Sequence, residues 1–156
     1  AERYFEKYLP YYDGTNKEKI YLNLLSAIYN TMLTGYMPDY TCLLMPIFRA
    51  YEYCLHKILG ESMGLDTENE KGNNKFNYFS KNPNGSYYCN STNISRITAE
   101  QKDLLNKLYT TYNGVRHVYS HWSAEDLDVS MISDITQARE YIIEGLTIVN
   151  EYYKLF

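Results

Sequence analysis

The sequence predicts an all-α fold, a bundle of four main helices with one irregular insert between the second and third. Three observations predict it. Apolar residues recur at three- and four-residue spacing through most of the chain, the period of a helix with one buried face. Cap residues and Gly or Pro breakers bound those stretches. The one long stretch without the period, residues 60–97, is dominated by Gly, Asn, Ser, Lys and Glu and reads as an insert. At 156 residues, 45% hydrophobic and 22% charged, the chain has the size of one core-forming domain, and its composition argues against global disorder. No internal repeat is visible.

The opening AERYFEKYLP reads as a short helix stopped by Pro10, with a turn at Asp13-Gly14. The first main helix is expected from Asn16, with Ile20, Leu24, Ala27, Ile28 and Met32 on one face, ended by Gly35 and Pro38. The second is expected over residues 39–59, with Leu43, Leu44, Ile47, Tyr51, Leu55, Ile58 and Leu59 as its stripe. Pro46 inside that pattern predicts either a kink or a later start. Arg49, Glu52 and His56 share one polar face of this helix, where exposed pairing along the helix is the plain expectation. In the insert, KFNYF and SYYC flank Pro83-Asn84-Gly85, which predicts a small β-hairpin or an ordered flap.

The third main helix starts near Thr98, because Thr98 with Gln101 matches a capping box. Leu104, Leu105, Leu108 and Tyr112 form its buried stripe, and Gly114 marks a bend or a close backbone approach. Residues 123–133 are acidic and irregular. The last helix begins at Ser133 or Asp134, both good N-caps, and carries Ile135, Ala138, Ile142, Leu146, Val149 and Tyr153.

The formal charge of −4 argues against a nonspecific nucleic-acid binder, which would be basic, but leaves room for an enzyme with a small local RNA pocket. The 19 tyrosines are expected to fill helix faces with their rings, the rival use being a base-stacking platform. The cysteines Cys42, Cys54 and Cys89 are odd in number and contain no C-x-x-C pair, so neither a disulfide framework nor a zinc knuckle is predicted, and a reducing cytoplasm fits. Three N-x-S/T matches, at Asn84, Asn90 and Asn93, are what an asparagine-rich loop produces by chance. No apolar run approaches membrane-spanning length, and the chain opens at Ala1 in charged sequence without a signal-peptide pattern. A piece of a larger cytoplasmic protein is the expectation.

The segment TYNGVRHVYSHW, residues 111–122, concentrates the chemistry. Two of the 3 histidines, His117 and His121, lie in it beside Arg116. RNA is cut without a metal when its 2′-hydroxyl attacks the adjacent phosphorus. That reaction needs a group to move protons and a cation to hold the growing negative charge. Histidine titrates near neutrality, and arginine stays charged and forks onto two oxygens. Residues five apart on a straight helix point about 140° apart. Arg116 and His121 therefore meet only through a break near Gly114, a wrapped arginine, or two copies pooling their side chains.

Two rivals stand beside this. His117 and His121 have i, i+4 zinc spacing with Glu125, Asp126 and Asp128 following, but the H-E-x-x-H base is missing, so no metal is expected. The segment would also serve a binding module without catalysis. Arg96, Lys102 and Lys107 are further candidates for RNA contact, although a solvated helix face is the ordinary role of such charges.

The phrase YNGVRHVYSH resembles the R-polar-x-x-x-H motif of HEPN ribonuclease domains, whose fold is a small helical bundle. MPIFRAYEYCLHKIL, residues 45–59, is similar to the R-A-x-E helix in the C-terminal HEPN domain of RnlA-type toxins. The resemblance implies a single HEPN-like domain over residues 1–156, the C-terminal fragment of a longer toxin. It implies a metal-independent endoribonuclease of a bacterial toxin–antitoxin or anti-phage system, using no cofactor. Its partners would be an RNA substrate, a second copy in a HEPN homodimer with a composite site, and a cognate or phage-encoded antitoxin. No membrane is implied. The implied roles are catalysis for Glu52, phosphate binding for Arg116, proton transfer for His121 and the motif's polar position for His117. A catalytically inactive dimerisation or partner-docking bundle is the alternative.

Overall fold

The computed structural model describes residues 1–120 and 130–156. Five α-helices carry about half of them: α1 (Glu2–Tyr8), α2 (Lys19–Asn30), α3 (Met45–His56), α4 (Ala99–Ser120) and α5 (Ile135–Leu155). The insert between α3 and α4 contains a two-stranded antiparallel hairpin, β1 (Phe79–Lys81) and β2 (Tyr87–Cys89). Phe79 pairs with Cys89, Ser80 with Tyr88 and Lys81 with Tyr87. Gly85 closes the turn at φ +89°, a conformation that side-chain-bearing residues rarely adopt. The mostly helical reading and the hairpin are thus both present. Among the described residues, no helix is long and apolar enough to cross a membrane.

Helix α3 lies against α2, α4 and α5 and makes the centre of the core. Its Ile47, Ala50, Tyr51, Cys54 and Leu55 are buried. They meet Leu24, Ala27 and Ile28 of α2, Leu105 and Leu108 of α4, and Ile142, Leu146 and Val149 of α5 in one cluster. The crossing with α5 is close at Gly145. A Cβ there would overlap the Ile47 side chain and fall 2.6 Å from the Tyr51 hydroxyl. Many tyrosines pack on helix faces as expected. Tyr12, for example, joins α1 to α5 by edge contacts with Phe5 at 5.2 Å and Tyr153 at 4.8 Å.

Several boundaries differ from expectation, each for a local reason. Helix α2 starts at Lys19 and ends at Asn30, so Asn16 and Met32 fall outside it. The stretch expected as one helix over residues 39–59 is three pieces: a 3-10 turn (Thr41–Leu44), α3, and a π-helical turn (Lys57–Ser62). Pro46 sits in the first turn of α3, where its missing N–H leaves no bond unmade, so it marks a start and not a kink. The Thr98–Gln101 box forms reciprocally, at 2.9 Å and 3.2 Å. Asp134 caps α5 by accepting from the Thr136 amide at 2.8 Å. Gly114 neither breaks α4 nor admits a close neighbour: the helix is continuous through Ser120, and a Cβ at Gly114 would meet nothing within 4 Å. Of the stretch expected to be acidic and irregular, residues 123–129 lie outside the described ones. Residues 130–134 are non-helical, and buried Ile132 ties them down through Thr41 Oγ1 at 3.1 Å and the Tyr40 amide at 2.8 Å.

Two outcomes follow. Gly145→Ala gains helix propensity but overpacks the α3–α5 crossing, and is expected to lower unfolding free energy by about 1–2 kcal/mol in urea denaturation. Burial raises the hydroxyl pKa of Tyr51, Tyr112, Tyr152 and Tyr153 above the ordinary 10.0. Above that value the unfolded chain gives up protons that the native chain keeps, so stability falls as pH rises. The urea midpoint should hold steady between about pH 7 and 9 and drop above about pH 10, less steeply in Tyr153→Phe.

Candidate functional site

Packing of α3 against α4 brings three polar groups together. Glu52 leaves the middle of α3, and Tyr112 and Arg116 leave α4 one turn apart, so that both face it. The Tyr112 hydroxyl donates to Glu52 Oε1 at 2.9 Å. Arg116 Nε lies 3.2 Å from the same oxygen. The guanidinium also sits 5.4 Å from the centre of the Tyr112 ring, a cation–π distance. Tyr112 is buried, and burial, then the neighbouring Glu52 charge, push its hydroxyl pKa well up. It is therefore a fixed proton donor to Glu52. An ion pair between side chains 36% and 25% exposed contributes about 1 kcal/mol or less, so its value here is positional.

These groups line one side of an open cleft of about 680 Å³. The insert forms the other side and is clasped at two points. On α3, His56 Nδ1 meets Thr67 Oγ1 at 2.8 Å and its Nε2 meets Asn74 Oδ1 at 2.9 Å, with Phe76 edge-on at 4.9 Å. On α4, Asn106 accepts from the Cys89 amide at 2.8 Å and Thr110 from the Tyr87 amide at 2.9 Å. Asn113 then donates to the Tyr87 hydroxyl at 3.0 Å. Tyr109 stacks on Phe79 at 3.8 Å, so those two rings satisfy each other.

Of the residues the sequence singled out, Glu52 and Arg116 come together. The pairing along α3 expected for Glu52 does not form, because Glu52 pairs across to α4. His56 is a structural clasp. Arg49 is exposed and lines a different cleft, with Lys19 and Tyr53. His117 follows Arg116 on α4 and is exposed. His121 lies outside the described residues, as do Glu125, Asp126 and Asp128. Arg96 bonds the Met63 carbonyl at 3.1 Å, and Lys107 reaches Glu151 at 3.5 Å, so each has a structural partner. Among the described residues, no group of three or more His, Cys, Asp or Glu side chains is placed to hold a metal. The sequence reading placed Tyr112 in the core and did not see its hydroxyl as part of the site. It also passed over the asparagines of the cleft, whose only sequence signal was the clustering in residues 73–77.

The sequence profile of the family described as "RNase LS, bacterial toxin DBD domain" matches residues 1–123. Among solved structures, the chain is similar to the Escherichia coli toxin LsoA in its complex with the T4 phage antitoxin Dmd. The TM-score is 0.76 at 20% identity, and the similarity covers 97% of this chain and 57% of that one. The chain thus spans little more than half the length of the toxin it resembles. No curated protein matches it in sequence.

Tyr112→Phe deletes a hydrogen bond to a charged acceptor and should cost about 1–2 kcal/mol in urea denaturation. Arg116→Ala, removing one half of a part-exposed pair, should cost less than about 1 kcal/mol.

Proposed function

The chain belongs to the RNase LS, bacterial toxin DBD domain family, and from that premise we propose that it is a metal-independent endoribonuclease domain of a bacterial toxin–antitoxin or anti-phage system. The observation that carries the proposal is the Glu52–Tyr112–Arg116 cluster on the wall of an open cleft. Arg116 is the phosphate-binding cation. Its contact with Glu52 is made through Nε, and the guanidinium carries four further N–H donors for phosphate oxygens. Glu52 aims that guanidinium, and Tyr112 holds Glu52 without competing as a base. His121 is the proton-transfer residue, and His117 fills the polar position of the motif.

In this scheme the 2′-hydroxyl gives up its proton as its oxygen attacks phosphorus. The P–O5′ bond breaks, the leaving 5′-oxygen is protonated, and a 2′,3′-cyclic phosphate remains. Arg116 offsets the extra negative charge of the phosphorane-like transition state. We propose that the working site is composite, formed where two copies meet as a HEPN homodimer. Support comes from α4, which continues unbroken through Gly114 and so leaves no break there to turn the following residues toward Arg116. Val118, 46% exposed on the same stretch, offers apolar surface for such a contact.

Residues 1–156 are proposed to form a single HEPN-like domain of a longer cytoplasmic toxin. An antitoxin, cognate or phage-encoded, is its proposed protein partner. The solved relative was captured with a phage antitoxin, which supports that choice.

The test incubates the purified protein with RNA in EDTA, beside Arg116→Ala and His121→Ala. Cleavage leaving 2′,3′-cyclic ends, reduced at least about 100-fold in both variants, is the expected result. Cleavage abolished by EDTA would favour a metal enzyme. A folded dimer that binds RNA or antitoxin without cutting would favour a docking module.

A further inference from the structure

Four neutral amides line the cleft that Glu52 borders. Asn73, Asn74 and Asn77 come from the insert and Asn113 from α4, and all four line the cleft that Arg116 borders. We propose that this asparagine cluster is a nucleobase-reading subsite, which selects the base next to the phosphate held by Arg116. The proposal rests on the ribonuclease reading for its substrate class, single-stranded RNA.

Three observations carry it. The first is chemistry. A primary amide offers an N–H donor pair and a carbonyl acceptor side by side, the pattern that matches a base edge. Unstacked bases of single-stranded RNA present such edges to a protein. The second is preorganisation. Asn74 gives its carbonyl oxygen to His56 at 2.9 Å, and Asn113 gives an amide N–H to Tyr87 at 3.0 Å. Each is held in place while its other end, an amino group on Asn74 and a carbonyl on Asn113, is left for a ligand. Donors and acceptors fixed before binding lose little freedom on binding. Asn73 and Asn77 are exposed and complete the set.

The third observation is charge. The positive charge of Arg116 is offset by Glu52 at 3.2 Å, so the cleft lacks the excess cation density of a groove that merely tracks a phosphate backbone. A neutral cleft of about 680 Å³, within the usual size range of ligand sites, suits a base better than a run of phosphates.

The experiment measures binding, so it does not depend on cleavage. Short 2′-O-methyl RNA oligonucleotides, which lack the attacking hydroxyl, differ in one central base and carry a fluorophore. Anisotropy titration of the protein should show affinities spread about tenfold between the best and worst central base. In Asn73→Ala/Asn77→Ala the spread should collapse to within about twofold. Both side chains are exposed, and native melting of the variant confirms its fold. Asn77→Asp, which trades an amide donor for an acceptor, should reorder the bases. Arg116→Ala should weaken all oligonucleotides alike. A wild-type spread within about twofold, or a double variant that keeps both ranking and spread, overturns the subsite. Base-selective binding by a protein that cuts no RNA would sink the ribonuclease reading and leave the subsite standing.

Discussion

Burial of α3 on three sides constrains where its remaining polar side chains can go. Ile47, Ala50, Tyr51, Cys54 and Leu55 are buried in the core that α3 shares with α2, α4 and α5, and the tight passage at Gly145 allows α3 little rotation or sliding. With that rotation set, Glu52 can only emerge toward α4 and His56 toward the insert. The apolar core therefore aims the carboxylate. The ion pair with Arg116, part-exposed and weak, could not do so alone.

The insert depends on the same helix. Residues between the π-helical turn and α4 have little apolar content, yet they are held in a defined place by side chains that reach out from the bundle. His56 spends both ring nitrogens on Thr67 and Asn74, while Asn106, Thr110 and Asn113 hold β2 from one face of α4. Two clasps on two helices leave a gap between them, and the Glu52–Arg116 pair stands on its wall. A polar segment that would be a loose loop in isolation thus becomes one side of a cleft.

Continuity of α4 links the fold to the proposed chemistry. The helix keeps its hydrogen bonding through Gly114, so Tyr112 and Arg116 stay one turn apart and both reach Glu52. That regularity removes one of the three ways by which Arg116 and His121 were expected to meet. A wrapped arginine and a two-copy site are left, and the proposed homodimer uses the second. The acidic total of −4 is no obstacle, because a site that holds one phosphate and reads one base needs local cations and amides more than a basic surface.

Periodicity alone was enough to place the buried stripes of α2, α3, α4 and α5, since each helix must hide one face whatever its neighbours are. Local capping and turn chemistry put the start of α4 near Thr98, the start of α5 at Ser133 or Asp134, of which the structure uses Asp134, and a turn at Pro83-Asn84-Gly85, because those signals act within a few residues. Arg116 and Glu52 were legible as a pair of motif positions. Contacts between side chains of different elements were not. Hydrogen bonding of Tyr112 to Glu52, capture of His56 by Thr67 and Asn74, and convergence of four asparagines on one cleft all depend on how α3, α4 and the insert pack. The pattern of apolar residues says which face is buried but carries no record of which polar groups the far side of a helix will meet. Only the tertiary structure decides that, because it alone sets the distances over which a hydrogen bond or an ion pair can act.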